Sequence, residues 1–171
     1  NAKAGRERGS DTDFRMFGYY VQHNIGIAFQ TFSSGLLLTL GSLFFLIFNG
    51  LNIGAVFAHL INVGYQGSLF PFVIGHGAFE LTGICLSGAA GMMLGWALLS
   101  PGGYSRLAAL KRSAGASIRL VIGATAMLLV AAFLEAFWSS TVSLGADTRY
   151  LVGSLFWLLV ILYFLLMGRG Q

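Results

Sequence analysis

Two ionisable side chains, His76 and Glu80, stand one helical turn apart in HGAFELTGICLSGAAGMMLG, inside a long apolar stretch. An ionisable group at membrane depth costs at least about 2.5 kcal/mol and seldom persists without a partner, so the pair demands a role. Three uses compete: a metal site, a proton or ion relay, and a structural polar clasp between helices. A hydrolytic metal centre wants three protein ligands and a general base, as in HExxH. Here one His and one Glu share the face, and His23 and His59 lie elsewhere. No metal or other cofactor is therefore assigned, and no enzymatic activity is expected; intramembrane metal-dependent hydrolysis is the third reading. A relay needs further polar groups in line, for which Glu135, Asn49 and Asn52 are the candidates. A buried clasp, with Glu80 carrying its proton or paired with His76 or an Asn, is the reading adopted from the sequence. Glu80 sits well inside its apolar tract, whereas Glu135, near the end of another, is expected to reach an interface. No GxxxxGK[ST] phosphate loop occurs, and Cys85, the single cysteine, falls across the helix from His76, so no Cys/His nucleophile forms. Cys85 reads as a small buried hydrophobe.

At 100° per residue, His76, Glu80, Gly83, Ser87, Gly91 and Gly95 fall within a stripe about 120° wide, with Leu81, Cys85, Met92 and Trp96 opposite. The stripe is polar at its start and then smooth. Small residues at this spacing let a second backbone approach closely, either within the chain or across a homo-oligomer interface.

The elements that hold these residues follow from composition. Of 171 residues 56% are hydrophobic and 9% charged, far too few charges for a soluble domain, while Gly at 24 and Pro at 2 suit close-packed membrane helices. The net charge of +4 does not mark a nucleic-acid binder, because the basic residues flank apolar spans. Four apolar tracts, Ser33 to about Ile61, Leu69 to Leu99, Ala116 to Trp138 and Tyr150 to Met167, are each long enough to cross a bilayer, and none alternates as a β-strand would. The expected fold is all-α: a polytopic bundle of four spans. The first tract is too long for one crossing, and a break is expected near Asn49-Gly50. The second is expected to start near Pro71.

Before the spans, residues 1–13 are polar, and the aromatic but interrupted segment 14–32 is read as an interfacial amphipathic helix, with a re-entrant segment docked between spans as its rival. Residues 33–168 form the transmembrane domain. The linker from Tyr104 to Gly115 is either amphipathic and lipid-facing or a short soluble connector. Lys3, Arg6, Arg8 and Arg15 before the first span, and Arg106, Lys111, Arg112 and Arg119 after the second, place both segments and both termini in the cytoplasm by the positive-inside rule. The chain begins at Asn1 without Met and runs polar before any apolar stretch, so no signal peptide is expected and the chain reads as the distal part of a longer protein.

Three stretches carry a family resemblance. HNIGIAFQTFSSG, with Asn24-Ile25 and Ala28-Phe29, is similar to the opening motif of the stage II sporulation protein M family of bacterial and archaeal integral membrane proteins. FNGLNIG, from Phe48 to Gly54, resembles its Asn-Gly-x-x-x-Gly turn, and HGAFELTGICLSGAAGMMLG its His-Gly-x-x-Glu-Leu helix, followed by the basic loop and the third span ending LEAFWSS. His23 stands where relatives often carry a second Asn. The resemblance implies a cytoplasmic helical region before the membrane part and a scaffold role, since the namesake works with peptidoglycan-hydrolysing and phosphatase-like partners during engulfment. It also implies company with other membrane proteins and a MoxR-type AAA ATPase, by analogy only. The resulting expectation is a non-enzymatic, homo-oligomeric scaffold or assembly subunit of the bacterial cytoplasmic membrane, held in the lipid bilayer. Its functional polar cluster is His76, Glu80, Asn49, Glu135 and Asn24. The alternative is a transporter or channel component that binds an ion or proton at His76 and Glu80.

Overall fold

A computed structural model describes residues 9–167. Lys3, Arg6 and Arg8, which entered the topology argument, and residue 168, the expected end of the transmembrane domain, lie outside the described residues. The described chain contains five α-helices and no strand: α1 Ser10–Ser33, α2 Leu40–Asn62, α3 Gln66–Leu99, α4 Arg106–Phe133 and α5 Ala146–Leu166. Helices α2, α3, α5 and α4, the last counted through Trp138, are long and apolar enough to cross a membrane.

The chain reverses where the local chemistry tells it to. Gly64, at φ +86°, caps the end of α2, its N–H donating to the Ile61 carbonyl at 3.0 Å while Tyr65 N–H donates to Leu60 at 2.8 Å. Ser105 caps α4, accepting from Ala108 N–H at 3.3 Å. With that cap in place α4 starts ten residues before its apolar tract, so the basic linker is the helix's own first turns. Ser113 in this stretch donates to the Met93 carbonyl at 3.1 Å, tying it to α3.

The break in the first tract falls earlier than expected. Helix α2 runs unbroken through Asn49 and Gly50, because Asn49 and Asn52 donate to the carbonyls of Phe45 and Phe48 one turn back, each at 2.7 Å, and so satisfy their amides inside the helix. The interruption lies at Ser34 to Thr39: a 3-10 turn over Ser34–Leu36, then Leu38 and Thr39 in the left-handed region at φ 54° and 71°. Helix α3 likewise starts at Gln66, ahead of Pro71, which sits buried inside the helix. Pro71 has no N–H, so the carbonyl of Gly67, four residues back, loses its usual helical donor.

Helix α3 is the axis of the bundle and touches each of the other four. Its largest partner is α4, whose buried face is Ser117, Ala124, Leu128, Ala131 and Ala132. These are small residues facing small residues. In lipid, where apolar burial drives little association, close van der Waals approach of this kind is what holds helices together. The Gly83, Ser87, Gly91 and Gly95 stripe is consumed in this way inside the chain. A Cβ at Gly83 would come within 2.9 Å of Leu128 Cγ, one at Gly91 would strike the Phe32 carbonyl and Ser42 Oγ, and one at Gly95 would strike the backbone of Thr39 and Gly35. The stripe is therefore not free to form a homo-oligomer interface, since the 34–39 turn already lies on it. The opposite strip faces outward: Leu81 and Trp96 are exposed, and so is Cys85, contrary to its expected burial.

Helix α1 is one continuous helix packed along the bundle. Phe14 packs on Phe137 with ring centroids 5.3 Å apart at one end, Ala28 meets Ile84 and Leu128 midway, and Gly35 lies against Gly91 at the other. The α1–α2 turn is pinned by Ser42 Oγ, which donates to the Thr31 carbonyl at 2.6 Å. Because α1 is antiparallel to α4, Ser10 lies at the end of the bundle that holds the α2–α3 and α4–α5 connections. Leu166 and the Ser100 to Ser105 connection lie at the other end. The described residues thus start and finish at opposite ends of the bundle.

Candidate functional site

The first two site residues are placed by helix periodicity. His76 and Glu80 are neighbours on one face of α3, with His76 Nε2 3.8 Å from Glu80 Oε2. The third comes from α4, whose last turns widen into a π-helical segment, Leu134–Trp138, closed by Ser139 N–H donating to the Leu134 carbonyl at 2.7 Å. Such π turns re-aim the side chains that follow and recur at functional sites. Glu135, half-buried, lies in the first turn of this segment, on the side of His76 and Glu80. His76, Glu80 and Glu135 together offer three ligand atoms that all lie within 4.8 Å of one another.

Helices α3 and α4 come close enough for this because position 75 has no side chain. A Cβ on Gly75 would strike the Trp138 indole. The His76 ring, 4% exposed, is fixed from two sides: its Nδ1 is 3.1 Å from Ser139 Oγ, and the Phe72 ring meets it edge-on with centroids 5.2 Å apart. Ser139 is itself held. Arg149 Nη1 on α5 donates to the Ser139 carbonyl at 2.9 Å, and Nη2 donates to the Thr141 carbonyl. Arg149 therefore ties the α4–α5 connection to the site. Its bonds go to backbone carbonyls, so they do not depend on the Ser139 hydroxyl.

Glu80 and Glu135 open onto a cavity of about 520 Å³ between α1, α2, α3 and the end of α4. From α1 it is lined by Tyr20, His23 and Asn24, and from α2 by Asn49 and Asn52. His23 stacks on Tyr19 with centroids 5.6 Å apart. Asn24 is 2% exposed, and its Nδ2 has no hydrogen-bond partner among the described residues. A buried amide donor without an acceptor costs about 1–3 kcal/mol, which an oxygen arriving in the cavity would return. Two carboxylates brought together away from bulk water repel, and the cluster is stable with a positive charge, a proton or a metal ion, among its oxygens.

Of the five residues of the expected polar cluster, His76, Glu80 and Glu135 come together, and Asn24 and Asn49 line the cavity that Glu80 and Glu135 share. His59 is not among the lining residues. The His and Glu that share one helix face are joined by a second carboxylate from another helix. Ser139 and Arg149 were not singled out from the sequence. Their signals were present, in the Ser pair closing LEAFWSS and in a lone Arg after the third tract, but neither says what it bonds to.

A bundle of four membrane-length apolar helices, with a fifth helix docked along it around an inward-facing His/Glu/Glu cluster, defines a membrane protein. The sequence profile described as stage II sporulation protein M matches residues 2–140, and the chain belongs to that family. The matched span holds every cluster residue and Ser139, and α5 with Arg149 lies beyond it. No curated protein and no solved structure matches the chain.

Proposed function

We propose that the chain is a multi-pass protein of the bacterial cytoplasmic membrane, and that it works as a transporter or channel component binding a proton or cation in the cavity beside Glu80 and Glu135. The observation that carries this reading is the convergence of His76, Glu80 and Glu135, within 4.8 Å of one another, with the two carboxylates at the wall of a cavity of about 520 Å³. A polar clasp needs no such space beside it. An ion path does, and it needs polar groups facing the carboxylates, which Asn24, Asn49 and Asn52 supply. The basic stretch from Arg106 to Arg119 marks the cytoplasmic end of the bundle. The test is flux into proteoliposomes under proton, monovalent and divalent cation gradients. Glu80→Gln is expected to abolish the flux and leave the far-UV spectrum unchanged. Flux no greater than in empty vesicles for every cation would overturn the reading.

A second reading, also without catalysis, is the scaffold or assembly subunit implied by the family. It is favoured by the outer faces of α2 and α5, where Phe44, Phe48, Leu51, Leu151, Leu155 and Leu162 are all exposed and available to lipid, a second copy or another membrane protein. A MoxR-type ATPase remains a partner by analogy. Native mass spectrometry from nanodiscs tests this: a stoichiometric protein partner or a defined homo-oligomer supports it, and a lone lipid-bound monomer counts against it.

A further inference from the structure

We infer that His76 Nε2 and the carboxylates of Glu80 and Glu135 form a binding site for one divalent first-row transition-metal ion, with the Asn24 amide facing the ion's remaining positions. The inference rests on the cation-binding reading of the cavity and names the cation.

Three observations point the same way. The donor set is one imidazole and two carboxylates drawn from two helices, and all three ligand atoms lie within 4.8 Å. Bound ligands at about 2.0–2.2 Å from an ion stand roughly 3–3.5 Å apart, so small carboxylate rotations close the set around it. The imidazole is already oriented for the task. Its Nδ1 faces Ser139 Oγ at 3.1 Å, and with that bond made by the Nδ1 proton, Nε2 presents its lone pair toward Glu80. Metal-bound histidines are held in this way by a partner on the second nitrogen. Lastly, Asn24 lines the same cavity as Glu80 and Glu135 and is 2% exposed, with an Nδ2 that has no partner among the described residues. A water or other oxygen ligand on the ion would accept that bond.

Charge and softness select the ion. Two carboxylates balance a dication, so the filled site is neutral, as a buried site at membrane depth must nearly be. The imidazole favours Zn²⁺ or Fe²⁺ over Mg²⁺ and Ca²⁺, which prefer all-oxygen shells, and the two carboxylates also admit Mn²⁺.

The test uses tag-free protein in nanodiscs, stripped with a chelator and titrated with Mn²⁺ alone under electron paramagnetic resonance. One Mn²⁺ per chain is expected, with nitrogen modulation from a bound imidazole, and Zn²⁺ should displace it. Ser139→Ala removes the orienting hydroxyl but keeps the carbonyl that Arg149 binds, and it should weaken affinity by about 10–100-fold. Absence of stoichiometric Mn²⁺, Mn²⁺ without nitrogen coupling, or coupling that persists in folded His76→Ala overturns the site. The nitrogen signature is read first on the unaltered chain, so a variant that fails to fold does not decide the matter. Flux on the same preparation separates the two claims. Glu80-dependent proton or monovalent flux without bound Mn²⁺ refutes the metal site and leaves transport standing. Imidazole-bound Mn²⁺ with no flux of any cation does the reverse.

Discussion

Replacing Gly91 with Ala tests the contact on which the whole arrangement of α1 and α2 depends. At an open helical position Gly→Ala gains about 1 kcal/mol from helix propensity. At Gly91 the new Cβ would come within about 2.5 Å of the Phe32 carbonyl oxygen and would also meet Ser42 Oγ. A backbone carbonyl cannot swing aside, so the end of α1 must lift from α3, at an overpacking cost of about 1–3 kcal/mol. The lift also strains the 2.6 Å bond from Ser42 Oγ to the Thr31 carbonyl, worth about 0.5–1.5 kcal/mol. Net of propensity, the loss is roughly 0.5–3.5 kcal/mol. The control is Gly50→Ala in α2, where nothing lies within 4 Å of the added Cβ and where a broken helix had been expected. There the substitution should be neutral or stabilising by up to about 1 kcal/mol. Reversible unfolding in mixed detergent–SDS micelles, followed by far-UV circular dichroism, measures both. If Gly91→Ala is as stable as Gly50→Ala, the turn at 34–39 does not lie on the glycine stripe and the packing described above is wrong.

Four further outcomes are expected. Cys85 is exposed at mid-length of α3, so a charged maleimide should leave it unlabelled in intact membranes and label it after denaturation; labelling in intact membranes would mean that this face meets water. With Cys85 changed to Ser, single cysteines at Ser10 and Ser105 should label from opposite sides of the membrane, and labelling from one side would remove α1 from the lengthwise position. Thr39 holds a φ of 71°, costly for a β-branched residue, so Thr39→Gly should raise the unfolding free energy by about 1 kcal/mol; a loss of similar size would show that the left-handed turn is not strained. Arg149→Met leaves the Ser139 and Thr141 carbonyls without their guanidinium donors and should cost about 1–3 kcal/mol and lower Glu80-dependent flux, whereas unchanged flux would cut Arg149 out of the site.

The fold class was legible because period and composition act over whole helices: tracts of this length and apolarity have few stable forms besides membrane helices. What failed was local. Asn49 and Gly50 look like a breaker pair, yet an Asn whose amide bonds one turn back inside its own helix is compatible with that helix, and only the bonded partner distinguishes the cases. At Leu38 and Thr39 the opposite holds. Neither residue type favours φ above zero, and the turn exists because α1 and α3 meet at Gly35, Gly91 and Gly95 and leave the chain no other course. The site divides along the same line. His76 with Glu80 is a spacing within one helix and can be read directly, whereas Glu135 joins them through a contact between α3 and α4. That contact did leave a trace. The buried stripe Ala124, Leu128, Ala131 and Ala132, continued one turn, arrives at Glu135, so the small residues on α4 already pointed it inward. Asn24 was singled out only through the family motif, because its place in the structure depends on how α1 packs on the bundle. Part of the polarity that made α1 look interfacial has a place inside the bundle: its buried Asn24 lines the same cavity as the carboxylates of α3 and α4, where a polar group finds polar company.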